Sequence, residues 1–181
     1  PFPAGAMLDA AAAAEAAGEP VRPVALVTPN NPTGLAVPVA DVRRIAGALP
    51  RALILVDAAY VEFDDPSLPA AVLGPPNVVV VRTFSKAWGL AGLRCGWVAG
   101  PAEVVAGLRA AGGPYSVTGA TLAAVGALLE AGIEPDPCYL ARVARERTAL
   151  AAAFRAAGAS VPDSRANFVT PLLPDAVRAA A

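Results

Sequence analysis

Apolar residues fall along this chain in short unbroken blocks, separated by stretches in which they recur every three or four positions. Val24 to Thr28, Leu53 to Val56, Asn77 to Val81 and Cys95 to Ala99 are the blocks. They are short and carry β-branched residues without polar alternation, so they predict four buried strands. The intervening segments predict helices. Met7 to Ala17 is alanine-rich and stops at Gly18. Asp41 to Leu49 is amphipathic, with Asp41 placed to cap it and Pro50 to end it. Pro101 to Ala110 opens on a proline suited to a first helical position. Thr118 to Ala131 follows, and Tyr139 to Ala157 is a long arginine-bearing helix closed by Gly158.

Strands of this kind alternating with helices predict an α/β fold, a mainly parallel sheet with helices on both faces. Residues 1–135 read as part of a large domain. Residues 136–181 read as the beginning of a smaller α+β domain, with Val161 to Thr170 as its first extended piece.

Composition narrows the function. A chain of 181 residues that is 56% hydrophobic can build a core, but none of its apolar runs is long enough to span a bilayer. No charged segment leading into an apolar one opens the chain, so a cytosolic setting is expected. Fourteen basic and 15 acidic residues nearly balance without a basic run, which argues against a nucleic-acid partner. Cys95 and Cys138 read as two buried, reduced thiols, too few for a disulfide framework or a metal knuckle. With no histidine there is no Ser-His-Asp triad and no histidine metal site, and no metal is expected. The start at Pro-Phe-Pro and the end at Val-Arg-Ala-Ala-Ala suggest a piece of a longer protein.

Ligands of open α/β sheets sit outside the carboxyl ends of the strands. Three consecutive strands send polar residues there. The first is followed by Thr28-Pro29-Asn30-Asn31-Pro32-Thr33-Gly34, the second by Asp57-Ala58-Ala59-Tyr60, and the third by Arg82-Thr83-Phe84-Ser85-Lys86 and then the glycine-rich Gly89 to Arg94. Each piece alone has a plain reading. Asp57 could cap a turn, Lys86 could be solvated, Arg94 could be structural, and the Asn30 to Gly34 segment could be only a turn. Together they supply a carboxylate for a pyridine nitrogen, an amine for a carbonyl, hydroxyls and an arginine for a phosphate, and an amide and a phenol for a phenolic oxygen. Those are the requirements of pyridoxal 5'-phosphate.

The ordered blocks Thr28 to Gly34, Val56-Asp57-Ala58-Ala59-Tyr60-Val61-Glu62-Phe63 and Thr83 to Gly96 resemble the signatures of fold-type I pyridoxal-phosphate aminotransferases. Within that group they are most similar to the histidinol-phosphate aminotransferases, through the run Ser85 to Gly96 and through Ala166-Asn167-Phe168. The resemblance implies that Lys86 forms the Schiff base and shuttles the substrate proton. It implies that Asp57 pairs with the pyridinium, that Tyr60 and Asn31 bond the phenolic oxygen, and that Thr83, Ser85 and Arg94 hold the phosphate. Asn167 matches an Asn-Phe pair of the family's small domain and is a candidate substrate contact. The implied reaction moves an amino group from histidinol phosphate to 2-oxoglutarate in histidine biosynthesis, giving imidazole-acetol phosphate and glutamate, in a homodimer. Sister readings are an aromatic amino-acid aminotransferase, a threonine-phosphate decarboxylase, and a non-catalytic truncated remnant. A nucleotide-binding domain is disfavoured, because no Gly-x-Gly-x-x-Gly or P-loop follows a strand.

The chain departs from the family pattern at Ala58, where a glutamate is usual. The arginine that clamps a substrate anion in the family has no motif-matched counterpart, Arg165 and Arg178 being nearest by position. The expectation is that this chain alone turns over weakly or not at all.

Overall fold

The computed structural model describes residues 2–173, so Arg178 and the end of the expected small domain lie outside the described residues. Four strands, β1 (Pro23–Val27), β2 (Leu53–Asp57), β3 (Val78–Thr83) and β4 (Gly96–Ala99), form one sheet in the order β1-β2-β3-β4. The first three are parallel, with Val27 opposite Asp57 and Asp57 opposite Val81. β4 runs antiparallel to β3, with Thr83 opposite Gly96. No crossover helix separates that last pair, so the chain can only return in the opposite direction. The result is the mainly parallel α/β architecture expected.

Helices α1 (Ala4–Ala16), α2 (Val39–Ala48) and the short α3 (Leu68–Val72) cover one face of the sheet. Val42 and Ile45 of α2 and Val72 of α3 meet Val24, Leu26, Ile54, Val56, Val78 and Val80 in the main core. Side chains alternate across a strand. Val27, Asp57, Val81 and Thr83 therefore point to the other face, where all four are half-buried. Burial thus alternates along β1 and β2, although their sequences do not.

Beyond the sheet come α4 (Ala102–Ala111), α5 (Gly119–Glu130) and α6 (Pro137–Ala156). Thr118 caps α5 by accepting the Thr121 amide at 3.1 Å, and Asp136 caps α6 by accepting the Cys138 amide at 2.8 Å. Among the described residues no helix is long and apolar enough to cross a membrane, and no group of metal ligands is found.

Several expectations need correction. Asp41 does not cap α2: the helix begins two residues earlier after Pro38, and Asp41 lies in its first turn. Pro101 is likewise the residue before α4. Cys95 is buried, but Cys138 is exposed on the first turn of α6. The segment Val161 to Thr170 is not a continuous strand. It is flanked by a single isolated bridge, between Ser160 and Leu172. In between, the Ser164 hydroxyl donates to the Phe168 carbonyl at 2.6 Å and accepts the Ala166 amide at 3.2 Å, which closes a local turn.

Asn77, just before β3, is a further link that sequence reading did not anticipate. Its amide nitrogen lies within 3.0–3.1 Å of the carbonyls of Ala46, Leu49 and Ala52. One side chain thus ties the end of α2 to the turn leading to β2, adding a donor to the Leu49 carbonyl, which also accepts the Ala52 amide at 3.0 Å.

Candidate active site

The carboxyl ends of β1, β2 and β3 bring most of the predicted residues to one edge. Asp57 is the last residue of β2. Its Oδ1 accepts the Ala59 amide at 3.0 Å, so one oxygen shapes the turn that presents Tyr60. Among the described residues Asp57 has no ion-pair partner, and its second oxygen makes no hydrogen bond.

Tyr60 is buried, and its hydroxyl accepts a hydrogen bond from Asn31 Nδ2 at 3.3 Å. This joins the turn after β1 to the turn after β2. Lys86 Nζ lies 5.1 Å from the centre of the Tyr60 ring, over its face. Of the 14 basic residues, Lys86 is the only lysine. It is half-buried and forms no salt bridge among the described residues. Asn31, Tyr60 and Lys86, from three different loops, are therefore in one cluster, at the edge where β2 ends in Asp57.

The turn after β3 is organised by Thr83. Its hydroxyl donates to the Cys95 carbonyl at 3.3 Å and accepts the Ser85 amide at 3.1 Å. The Ser85 hydroxyl itself makes no hydrogen bond among the described residues. Lys86 is held in a tight loop: the Gly89 amide bonds the Lys86 carbonyl at 3.0 Å, and the Leu90 amide bonds the Phe84 carbonyl at 3.0 Å.

Two predicted residues stand apart. Arg94 is exposed, and its guanidinium turns back onto the Ala91 carbonyl at 3.2 Å. Its backbone is left-handed, with φ 49°, a conformation non-glycine residues seldom take without a local reason. Asn167 is exposed and makes no side-chain hydrogen bond among the described residues. Its neighbour Phe168 is the one that reaches the cluster, its ring meeting that of Tyr60 edge-on at 5.3 Å.

The Asn30 to Gly34 turn is braced from the far end of the chain. The Arg165 amide bonds the Gly34 carbonyl at 2.7 Å, and the Thr170 hydroxyl bonds the Pro32 carbonyl. Gly34 has φ 73°, and a side chain there would overlap Ser164. Nearby, Arg165 pairs with Asp64 at 3.6 Å. Burial nevertheless pushes the Asp64 carboxyl above its ordinary range, with Arg165 pulling the other way.

Sequence reading passed over a partly buried ion pair, between Glu62 and Arg82, beside the Lys86 loop. The signal was present: Glu62 stands between Val61 and Phe63, and Arg82 ends the run Val78 to Val81. Opposite charges lodged in two apolar runs are costly unless they meet.

The fold and this constellation define a class, and comparison with known proteins agrees. Residues 3–181 match the family Aminotransferase class I and II, and the chain belongs to it. The aromatic amino acid aminotransferase of Mycobacteroides abscessus is 44% identical over 168 residues, covering 89% of this chain and 47% of that protein. The histidinol-phosphate aminotransferase of Paracoccus denitrificans is 38% identical over 162 residues, covering 88% of this chain and 44% of that one. In three dimensions the chain superposes on the crystal structure of histidinol-phosphate aminotransferase from Sinorhizobium meliloti in complex with pyridoxal-5'-phosphate. The TM-score is 0.72 at 29% identity, covering 90% of this chain and 45% of that one. The chain thus spans about half the length of the relatives it matches.

Proposed function

We propose that the protein is a pyridoxal-phosphate-dependent aminotransferase that moves an amino group from a ring-bearing amino donor to a 2-oxo acid. The observation that carries this is the meeting of Lys86, Tyr60 and Asn31 at the strand edge that ends in Asp57. The donor set fits the cofactor. There is a single amine, a carboxylate with one free oxygen, an amide–phenol pair, and a turn rich in hydroxyls and backbone N–H groups.

Pyridoxal phosphate, when bound, supplies an electron sink that makes the α-hydrogen of an amino acid removable. In this reading Lys86 holds the group through its side-chain amine, and Nζ also takes and returns the α-proton. Asp57 faces the ring nitrogen with the oxygen that Ala59 does not use, and keeps that nitrogen protonated. Asn31 and Tyr60 orient the ring through its phenolic oxygen. Thr83, Ser85 and Arg94 would hold the phosphate, Arg94 by a guanidinium that here bonds the Ala91 carbonyl. Asn167, next in sequence to Phe168, is the candidate substrate contact.

At the level of substrate two donors are supported. Histidinol phosphate, with 2-oxoglutarate as acceptor, follows from the Ser85 to Gly96 run and the Paracoccus relative. An aromatic amino acid is favoured by the higher identity of the Mycobacteroides relative. Both carry a planar ring, and only the first carries a phosphate. The test is a single amino transfer at stoichiometric protein concentration, with each donor in turn, following the new oxo product by mass spectrometry. The reading predicts a product from one of the two and none with Lys86→Ala. Equal product from Lys86→Ala, or product from a donor without a ring and none from either of these two, would overturn it.

A further inference from the structure

Glu62 has a side chain only 6% exposed, in the 3-10 turn Val61–Phe63 that follows Tyr60. Its Oε1 accepts two hydrogen bonds, from Arg82 Nη2 at 2.5 Å and from Trp88 Nε1 at 3.2 Å. Arg82 lies four residues before Lys86 and Trp88 two residues after it. One carboxylate oxygen therefore grips the Lys86 loop at both ends. The same turn begins directly after Tyr60, over whose ring Lys86 Nζ sits.

The arrangement is poorly explained as a stabilising device. Glu62 Oε2 and Arg82 Nε are buried without a hydrogen-bond partner among the described residues. A buried pair left partly unsatisfied is often no more stabilising than apolar residues of similar volume. The pair is not left loose, however. The Arg82 guanidinium lies over the Trp97 ring at 5.3 Å, and the Trp88 ring meets Phe84 edge-on at 5.2 Å. Such a network fixes geometry even where it adds little to stability.

We propose that Glu62 is a positioning residue, which holds Lys86 over Tyr60 by tying Arg82 and Trp88 to the turn that carries the tyrosine. This rests on the reading of Lys86 and Tyr60 as residues of the reacting site, but its test needs no cofactor. Because Lys86 is the only lysine, reductive ¹³C-methylation gives one dimethyl-lysine resonance, which can be read in the purified chain. A methyl over the Tyr60 face is displaced upfield by the ring current, and Tyr60→Leu defines the undisplaced position.

Three variants decide the matter. Glu62→Gln keeps an acceptor oxygen for both donors and should keep the displacement. The double variant Glu62→Leu with Arg82→Met replaces the pair by apolar groups of similar size, and the resonance should move to the Tyr60→Leu position while far-ultraviolet dichroism stays unchanged. Trp88→Phe removes the N–H donor together with part of the ring, and should move it part of the way. A folded double variant with the wild-type displacement would overturn the proposal. If the double variant does not fold, an unchanged displacement in Trp88→Phe overturns it. A displaced resonance in a chain that does not take pyridoxal phosphate would sink the functional reading and leave this one standing.

Discussion

Tyr60 is the meeting point of the candidate site: its hydroxyl accepts from Asn31 at 3.3 Å while its ring face lies 5.1 Å from Lys86 Nζ. The edge-on contact with Phe168 at 5.3 Å adds a fourth segment, from 137 residues after Asn31 in the chain. The site is therefore sensitive to changes far from its polar groups, and the following expectations follow from how it is braced.

Gly34 is the tightest of these braces. Its φ of 73° disfavours any side chain, and an added methyl would lie 2.7 Å from the Ser164 Cα. Backbone on both sides must shift to accept it. Gly34→Ala should cost about 2 kcal/mol or more in unfolding free energy. It should also loosen the Asn31–Tyr60 contact. Urea unfolding followed by dichroism measures the first effect, and a change of less than ~0.5 kcal/mol would contradict it.

Asn77 tests the core end of the sheet. Removing its amide takes away two N–H donors shared among the carbonyls of Ala46, Leu49 and Ala52, of which Leu49 keeps the Ala52 amide. Asn77→Ala should lower stability by about 1–3 kcal/mol. Because the contact lies at the amino end of β3, the dimethyl-Lys86 resonance at the carboxyl end should not move. A stability loss accompanied by a large change in that resonance would show that the two ends are not independent.

Asp64 gives a pH dependence of known sign. Burial raises its carboxyl above the unfolded value despite Arg165. The folded chain then holds this proton more tightly than the unfolded chain. The associated stability is full below the unfolded value and is lost as pH rises through the folded one. At neutral pH the charged carboxylate is therefore a burden. Asp64→Asn should raise the melting temperature at pH 7, with the gain shrinking towards pH 3. Thermal melts across that range check this, and a lowered melting temperature at pH 7 would show that the Arg165 pair outweighs burial.

The parts of this protein readable in advance were those that local pattern dictates. Unbroken apolar runs gave the strands, and the polar residues just after β1, β2 and β3 gave the edge where Asn31, Asp57 and Lys86 stand. The antiparallel return of β4 depends on the absence of a crossover helix, which residue periodicity alone does not show. Asp41 looked like a cap because its side chain suits one, but Pro38 begins α2 through its fixed backbone. The place of Phe168 beside Tyr60 and the clash of Gly34 with Ser164 are contacts between distant segments, so no local signal marks them. Glu62 and Arg82 could have been marked as candidates for pairing, since Glu62 is flanked by Val61 and Phe63 and Arg82 follows directly on Val78 to Val81.

Everything proposed for this site depends on Lys86 as the residue that holds pyridoxal phosphate. The most direct measurement is to mix the purified chain with pyridoxal phosphate, record the visible absorbance, reduce with borohydride and locate the added mass. The account predicts one phosphopyridoxyl group per chain, on Lys86, at cofactor concentrations that leave the urea-unfolded chain unlabelled. No label on the folded chain, or the same labelling of Lys86 whether the chain is folded or unfolded, would contradict it.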